Sequence, residues 1–343
     1  MRQLKKKAVL LAIIAALMTS MLACSNAKDT STESAAPTVS ESVDSKQVVM
    51  TVEGTDVLLE EAMIYLLSSK EEVETLYGDE IWDYTVDIEG TTYADLFKQQ
   101  LLEKIKYIKI VCSKAEALDI TLSEDEMLDV DEYTADFLSQ VSEADIKKYG
   151  IQKDVVKQIY SDNVLANKIF ESLTLNVDTD VSSEEARQVV LQYIFLSKTG
   201  YDESGNEIAY SEEELNAVKE KAQDLSEQAK ETQDFYSLAE ENSDNSDEIE
   251  IVAGKGDLDD ALEKVAFSMK TGETSAVIET ESGYFILYCK NEMDEEATAE
   301  AKEAIIEKRQ EEAFTSQYIS WETQAAVDIQ DDVWAAVSVK NQE

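Results

Sequence analysis

Apolar residues along the chain fall into two rhythms, a period near 3.6 in most segments and an alternating or continuous run in a few. Val48–Val52 alternates as a strand, Glu53-Gly54-Thr55 turns, and a helix follows through Ala62, Tyr65 and Leu66. A longer helix begins near Thr91 or Thr92 and carries Phe97, Leu101, Ile105, Ile108 and Cys112 at helical spacing. Leu118–Leu122 leads into Ser123-x-x-Glu126, a capping box, and Ser142 starts a short helix that Tyr149-Gly150 ends. Ile151 opens the next helix, through Val155, Ile159, Leu165 and Phe170. These stripes read as the mutual core of a helical module over residues 47–180.

The rhythm then changes. Arg187–Leu196 is a run of strong strand formers, and Thr199–Tyr210 is a Gly- and Asp-containing excursion. Ser211-x-x-Glu214 caps a helix through Leu215, Val218, Ala222 and Leu225. Asp234-Phe235 begins another with Leu238 and Ala239 inward, ending at Ser243-Asp244-Asn245. Strand Ile249–Ala253 follows an acidic loop. The stretch from Gly254 to Lys290 reads as a Gly-containing turn, a short helix over Leu262, Val265, Ala266 and Phe267, and a Lys-Thr-Gly-Glu corner. Two strands close it, Ala276–Glu279 and Tyr284–Cys289, joined by Glu281-Ser282-Gly283. Beyond, Glu295–Val327 predicts one long helix with Ala301, Ile305, Ala313, Phe314, Ile319 and Trp321. Val333–Val337 predicts a short apolar strand or hook.

Several pieces of the 184–292 segment stand in a telling order: Gly256-Asp257-Leu258, Ala266-Phe267-Ser268, Lys270, Gly272-Glu273 and Ser282-Gly283-Tyr284. With Phe235, Leu238-Ala239 and Ser243-Asp244-Asn245 before them, they resemble a parvulin-type peptidyl-prolyl isomerase domain of the PrsA and SurA foldases. The strand–Gly-turn–helix opening of the 47–180 module resembles the start of the chaperone module in the same group. The resemblance implies an α+β fold: a helical SurA/PrsA-like chaperone module with an inserted parvulin-like domain, a four-stranded antiparallel sheet with flanking helices. It implies that residues 295–338 form a C-terminal helix and hook returning to the chaperone module, with Trp321 and Trp334 as core anchors.

The resemblance also places the site. Gln192, Tyr193, Ile194 and Phe195 stand where the family has an Arg-His-Ile-Leu motif, so Tyr193 replaces the first family histidine and Phe285 the second. Asn245 falls where active parvulins carry Cys or Asp. Prolyl isomerisation breaks no bond: an X–Pro amide rotates over a barrier of ~18–20 kcal/mol, and an enzyme need only bind the twisted amide better than the planar one. Tyr193, Asn245, Phe267 and Phe285 are therefore the expected catalytic set, with Leu262, Phe267 and Phe285 as apolar walls and no cofactor or metal required. The bland alternative is that Tyr193, Phe267 and Phe285 simply fill the core.

Charge and cysteine content narrow the picture. The 343 residues carry a formal net charge of −44 and no histidine. This excludes imidazole chemistry and argues against nucleic acid, whose phosphates require Lys and Arg. An acidic shell leaves weak divalent-cation binding as a further expectation. Cys112 and Cys289 fall in different modules and read as small apolar residues, not a disulfide.

At the amino end, Arg2, Lys5, Lys6 and Lys7 precede an apolar run from Ala8 to Leu17, then Met21-Leu22-Ala23-Cys24. Residues 1–23 read as a signal peptide, and Leu-Ala-Cys resembles a bacterial lipobox, with Met21 where Leu is usual. Lipid on Cys24 would anchor the chain at the outer face of the membrane. Cleavage there removes four positive charges and no negative ones, taking −44 to −48. Residues 24–46, rich in Ser, Thr and Glu and holding Pro37, the only proline, read as a flexible tether. The expected protein is a membrane-anchored extracytoplasmic foldase with peptidyl-prolyl cis-trans isomerase activity, its partners unfolded or partly folded secreted proteins. Two rivals stand beside it: a catalytically silent holdase using the parvulin fold as scaffold, and an acidic cation- or solute-binding lipoprotein.

Overall fold

The structure, a computed structural model, describes residues 44–201 and 205–340. The expected signal peptide, Cys24 and nearly all of the expected tether lie outside the described residues. In chain order the elements are β1 (Val48–Val52), β2 (Thr55–Leu58), α1 (Leu59–Tyr77), a 3-10 turn (Asp79–Asp83), α2 (Tyr93–Cys112), α3 (Glu124–Gln140), α4 (Glu143–Tyr149) and α5 (Lys153–Thr174). There follow β3 (Val189–Ser197), β4 (Thr199–Tyr201), β5 (Glu207–Ala209), α6 (Glu212–Glu231), α7 (Phe235–Asn242), β6 (Glu250–Ala253), α8 (Asp260–Ala266), β7 (Ile278–Glu279) and β8 (Gly283–Asn291). Last come α9 (Glu295–Gln324), β9 (Val327–Ile329) and α10 (Asp331–Ala335). The described residues divide into two compact units, one within Met1–Asn176 and Glu311–Glu343, the other within Val177–Gln310.

In the first unit, local signals set the helix starts. Thr92 and Ser123 each accept from the backbone N–H three residues on, while Asp95 and Glu126 accept from the cap's own N–H. Gly150 ends α4 at φ 63°, the left-handed conformation that a side chain disfavours. The apolar faces of α1, α2 and α5 meet in one core with Met50, Trp82, Ile105, Ile169, Phe314 and Trp334.

The carboxyl end departs from its pattern. The long helix stops at Gln324, not Val327, because β1 has an open edge: Val327–Ile329 pairs antiparallel with Met50–Val52, completing a sheet of order β2-β1-β9. Glu53 holds the junction, its N–H donating to the Ala326 carbonyl and its carboxylate accepting from the Ala326 N–H. The expected apolar strand or hook at Val333–Val337 is instead the short helix α10, with Trp334 buried and its Nε1 donating to the Lys98 carbonyl at 3.1 Å. Ile319, read as an apolar-face residue, is largely exposed.

The second unit is built on a four-stranded antiparallel sheet of order β6-β3-β8-β7. Strand β3 is apolar on both faces because both are covered. Val189, Leu191 and Tyr193 face a core shared with Leu262 and Ala266 of α8, while Ile194 and Leu196 face Ala222 and Leu225 of α6 and Phe235 of α7. Gln192 interrupts the run without cost, since its amide donates to Glu250 on the neighbouring strand at 2.8 Å. The excursion after β3 is a small hairpin, Thr199–Tyr201 against Glu207–Ala209.

Candidate functional site

Tyr193 and Asn245 meet. The Asn245 Nδ2 donates to the Tyr193 Oη at 3.0 Å across 52 residues of sequence. Asn245 is brought there because the end of α7 is stitched to the edge of β3. The Phe195 N–H donates to the Ser243 hydroxyl at 3.0 Å, the Asp244 N–H to the Phe195 carbonyl at 2.8 Å, and the Ser197 N–H to the Asp244 carboxylate at 2.7 Å. The Ser-Asp-Asn triplet thus serves β3 through two residues and the Tyr193 phenol through the third.

Burial pushes the Tyr193 phenol above its ordinary value; the Asn245 hydrogen bond opposes this and Glu248 adds to it. The hydroxyl therefore keeps its proton at neutral pH. Its oxygen is engaged by Asn245, which leaves the O–H available to donate.

Phe285 sits opposite Phe195 in the β3–β8 register, and Tyr193 opposite Leu287, so Tyr193 and Phe285 are diagonal neighbours on one face. The rings of Phe195 and Phe285 lie 4.7 Å apart at 34°, and those of Tyr193 and Phe285 6.0 Å apart at 47°. Tyr193 is buried except for a narrow margin, whereas Phe195 and Phe285 are half-buried. Gly283 makes this packing reachable: a Cβ there would run into the Leu196 carbonyl and the Phe195 ring.

Phe267, just past α8, joins the same apolar cluster half-buried. Arg187 holds it, with the guanidinium 4.9 Å above its ring and Nη2 hydrogen-bonded to its carbonyl. Leu262 is a buried member of the same cluster, so little of its surface is left to form the expected open wall. The pattern of the sequence missed Phe195 and Arg187 as members of the constellation. Strand alternation was the available signal for Phe195, two residues beyond Tyr193 and hence on the same face.

Outside this constellation, Cys112 and Cys289 are free thiols. Burial pushes the Cys112 thiol up to about 12, which makes it unreactive. Among the described residues, no group of three or more Asp, Glu or Cys side chains is placed to hold a metal ion, and no helix is long and apolar enough to cross a membrane.

The second unit is thus an α+β domain: an antiparallel sheet with α8 on one face, α6 and α7 on the other, and an aromatic cluster edged by a phenol and an amide. Residues 201–291 match the family model described as rotamase, PPIC-type PPIASE domain. That span includes Asn245, Leu262, Phe267 and Phe285 but begins after Tyr193. Over a longer stretch the chain is similar to foldase proteins named PrsA. It is 22% identical over 270 residues to the foldase protein PrsA of Clostridium botulinum, covering 73% of this chain and 77% of the relative. It is 25% identical over 253 residues to that of Caldanaerobacter subterraneus subsp. tengcongensis, covering 71% and 73%. A solved peptidylprolyl isomerase (PrsA) structure from Bacillus cereus aligns over 85% of this chain and 96% of its own at 14% identity, with a TM-score of 0.38.

Proposed function

We propose that this chain is an extracytoplasmic foldase that binds unfolded secreted polypeptides and speeds prolyl isomerisation at the aromatic face of its sheet. The observation that carries the reading is the Tyr193–Asn245 hydrogen bond at the margin of the Tyr193, Phe195 and Phe285 rings. A proline ring seats against the half-buried Phe195 and Phe285, with Phe267 at the flank. As the X–Pro amide twists, its nitrogen loses conjugation and gains a localised lone pair, to which the Tyr193 O–H donates. Asn245 holds the phenol in that orientation and prefers the oxygen as acceptor. The gain is made in the twisted state only, which is the condition for acceleration. Leu262 and Arg187 are positioning residues, the first buried in the same apolar cluster and the second on Phe267.

The assay is relaxation of a short X–Pro peptide from cis to trans. The expected rate rises in proportion to protein concentration, and Tyr193→Phe lowers it while leaving the fold intact. A wild-type rate equal to buffer at high protein concentration removes the enzyme claim.

The holdase reading has one observation in its favour: at 4.7 Å the Phe195 and Phe285 rings occupy each other's apolar surface. Suppression of client aggregation without any effect on X–Pro relaxation would select it. We place the protein at the membrane surface through lipid on Cys24, on the strength of Leu22-Ala23-Cys24 and the basic and apolar run before it. Cys24→Ala is expected to release the protein into the medium; retention of the variant in the membrane fraction would refute the anchor.

A further inference from the structure

Large apolar side chains exposed on the described surface are mostly scattered singly, but five fall within thirteen residues: Leu76, Tyr77, Tyr84, Val86 and Ile88, the last 99% exposed. They belong to the strap that runs from the end of α1 through the 3-10 turn to the start of α2. This strap is firmly built. Trp82 is buried beneath it, its ring 5.0 Å from Phe97 and 5.7 Å from Tyr93, and its Nε1 donates to Glu74 at 2.8 Å. The Gly78 N–H donates to the Glu74 carbonyl, the Val86 N–H to the Thr91 carbonyl and the Tyr93 N–H to the Tyr84 carbonyl. One aromatic residue therefore pins the strap inward while its neighbours in sequence are held in water. Nothing in the core of the first unit uses them.

Charge distinguishes what fits there. From Glu71 to Asp95 the sequence has nine Asp or Glu and no Lys or Arg. Glu71, Glu72, Asp79, Glu80, Asp87 and Glu89 are exposed among the apolar side chains. An anionic lipid surface, or another region of this acidic chain, would meet repulsion. An extended segment that carries both apolar and basic side chains meets apolar contact and opposite charge together.

We infer that the strap over residues 76–89 is a docking surface for unfolded polypeptide segments in which aromatic or aliphatic residues are interspersed with Lys and Arg. This rests on the foldase reading for the occupant being an unfolded chain, and it adds a selectivity and a place remote in sequence from the isomerase residues. The acidic rim selects against acidic segments, which include those of the protein itself.

Fluorescence anisotropy of the full chain with three proline-free unstructured peptides tests it: one rich in Leu, Tyr, Lys and Arg; one with Glu replacing its basic residues; one with Ser replacing its apolar residues. The first is expected to bind at least about ten-fold more tightly than the others, and more weakly as salt rises. Tyr84→Ser with Ile88→Ser is expected to lose about ten-fold of that affinity. Glu80→Gln with Glu89→Gln is expected to narrow the preference for the basic over the acidic peptide. Far-UV circular dichroism should be unchanged for both variants, because these side chains lie in solvent.

Equal binding by wild type and the Tyr84/Ile88 variant overturns the inference, as does equal binding of the acidic peptide. So does sedimentation showing that wild type self-associates and this variant does not. The same variant should retain wild-type X–Pro relaxation. Absence of isomerase activity in wild type with peptide selectivity intact would sink the enzymatic reading and leave the docking surface standing.

Discussion

At Lys109, three helices of the first unit are tied by one charge. Its Nζ lies 2.7 Å from Glu61 on α1 and 2.8 Å from Asp162 on α5, and all three side chains are nearly removed from water. Burial alone would lower the Lys109 pKa, but the two carboxylates outweigh it and hold the ammonium protonated. Lys109→Met leaves two buried carboxylates facing each other, and about 3–5 kcal/mol of stability should be lost in denaturant unfolding. Tyr193 sets a different expectation. Burial raises its pKa above the ordinary value of about 10, and no histidine exists in the chain. X–Pro relaxation should therefore be flat from about pH 6 to about pH 9, with no inflection near the usual imidazole value of about 6.5. A bell-shaped profile in that range would exclude Tyr193 as the polar group. The partners of Lys109 were hidden in the sequence, since nothing in the spacing of Glu61, Lys109 and Asp162 announces that they touch; Tyr193 and Asn245 were put in one site only by the family resemblance, not by their spacing.

Among the elements, the helix starts were the most legible feature, because a cap is a local interaction within four residues. Glu126 shows what one contributes. Burial works to raise its pKa, yet the Lys168 hydrogen bond and those from the Ser123 N–H and hydroxyl bring it down to about 2 from an ordinary 4.5. A carboxylate depressed in the folded state contributes stability above its unfolded pKa and loses it as pH falls. The first unit should thus weaken between about pH 4.5 and about pH 2, and Glu126→Gln should flatten that slope. Ser123→Ala should cost about 1 kcal/mol in thermal unfolding. On the sheet, Gly283→Ala forces the Phe195 ring and the Leu196 carbonyl away from β8. A loss of about 1–3 kcal/mol is expected, with X–Pro relaxation falling too. Unchanged activity in that variant would separate Phe195 from the site.

For the whole molecule, the formal charge of −44 dominates. Like charges repel in the compact state, and salt screens them over a Debye length of about 10 Å at 0.1 M. The melting temperature should rise between low and moderate NaCl; a fall would mean that attractive ion pairs outweigh the repulsion. Closure of the first unit depends on the last described residues. Lys98 Nζ donates to the Ala335 and Val337 carbonyls at 3.1 and 2.8 Å, and Trp334 is buried beside it.

The residue pattern alone determined what is local: the caps at Thr92, Ser123, Ser142 and Ser211, the Gly150 stop, the strand read over Arg187–Leu196 and observed over Val189–Ser197, and the ordered pieces from Gly256 to Tyr284 that resemble a parvulin domain. Each depends on neighbours a few positions away, so the pattern carries it. Tertiary structure decided what depends on distant surfaces. Val327–Ile329 is a strand only because β1 offers an open edge, and Val333–Val337 gives way to a short helix in which Trp334 is buried with its Nε1 on the Lys98 carbonyl of α2. Phe195 joins Phe285 because the β3–β8 register sets them opposite. Hydrogen-bond donors, apolar area and charges from residues hundreds of positions apart compete for the same space, and only the folded chain shows which pairing wins.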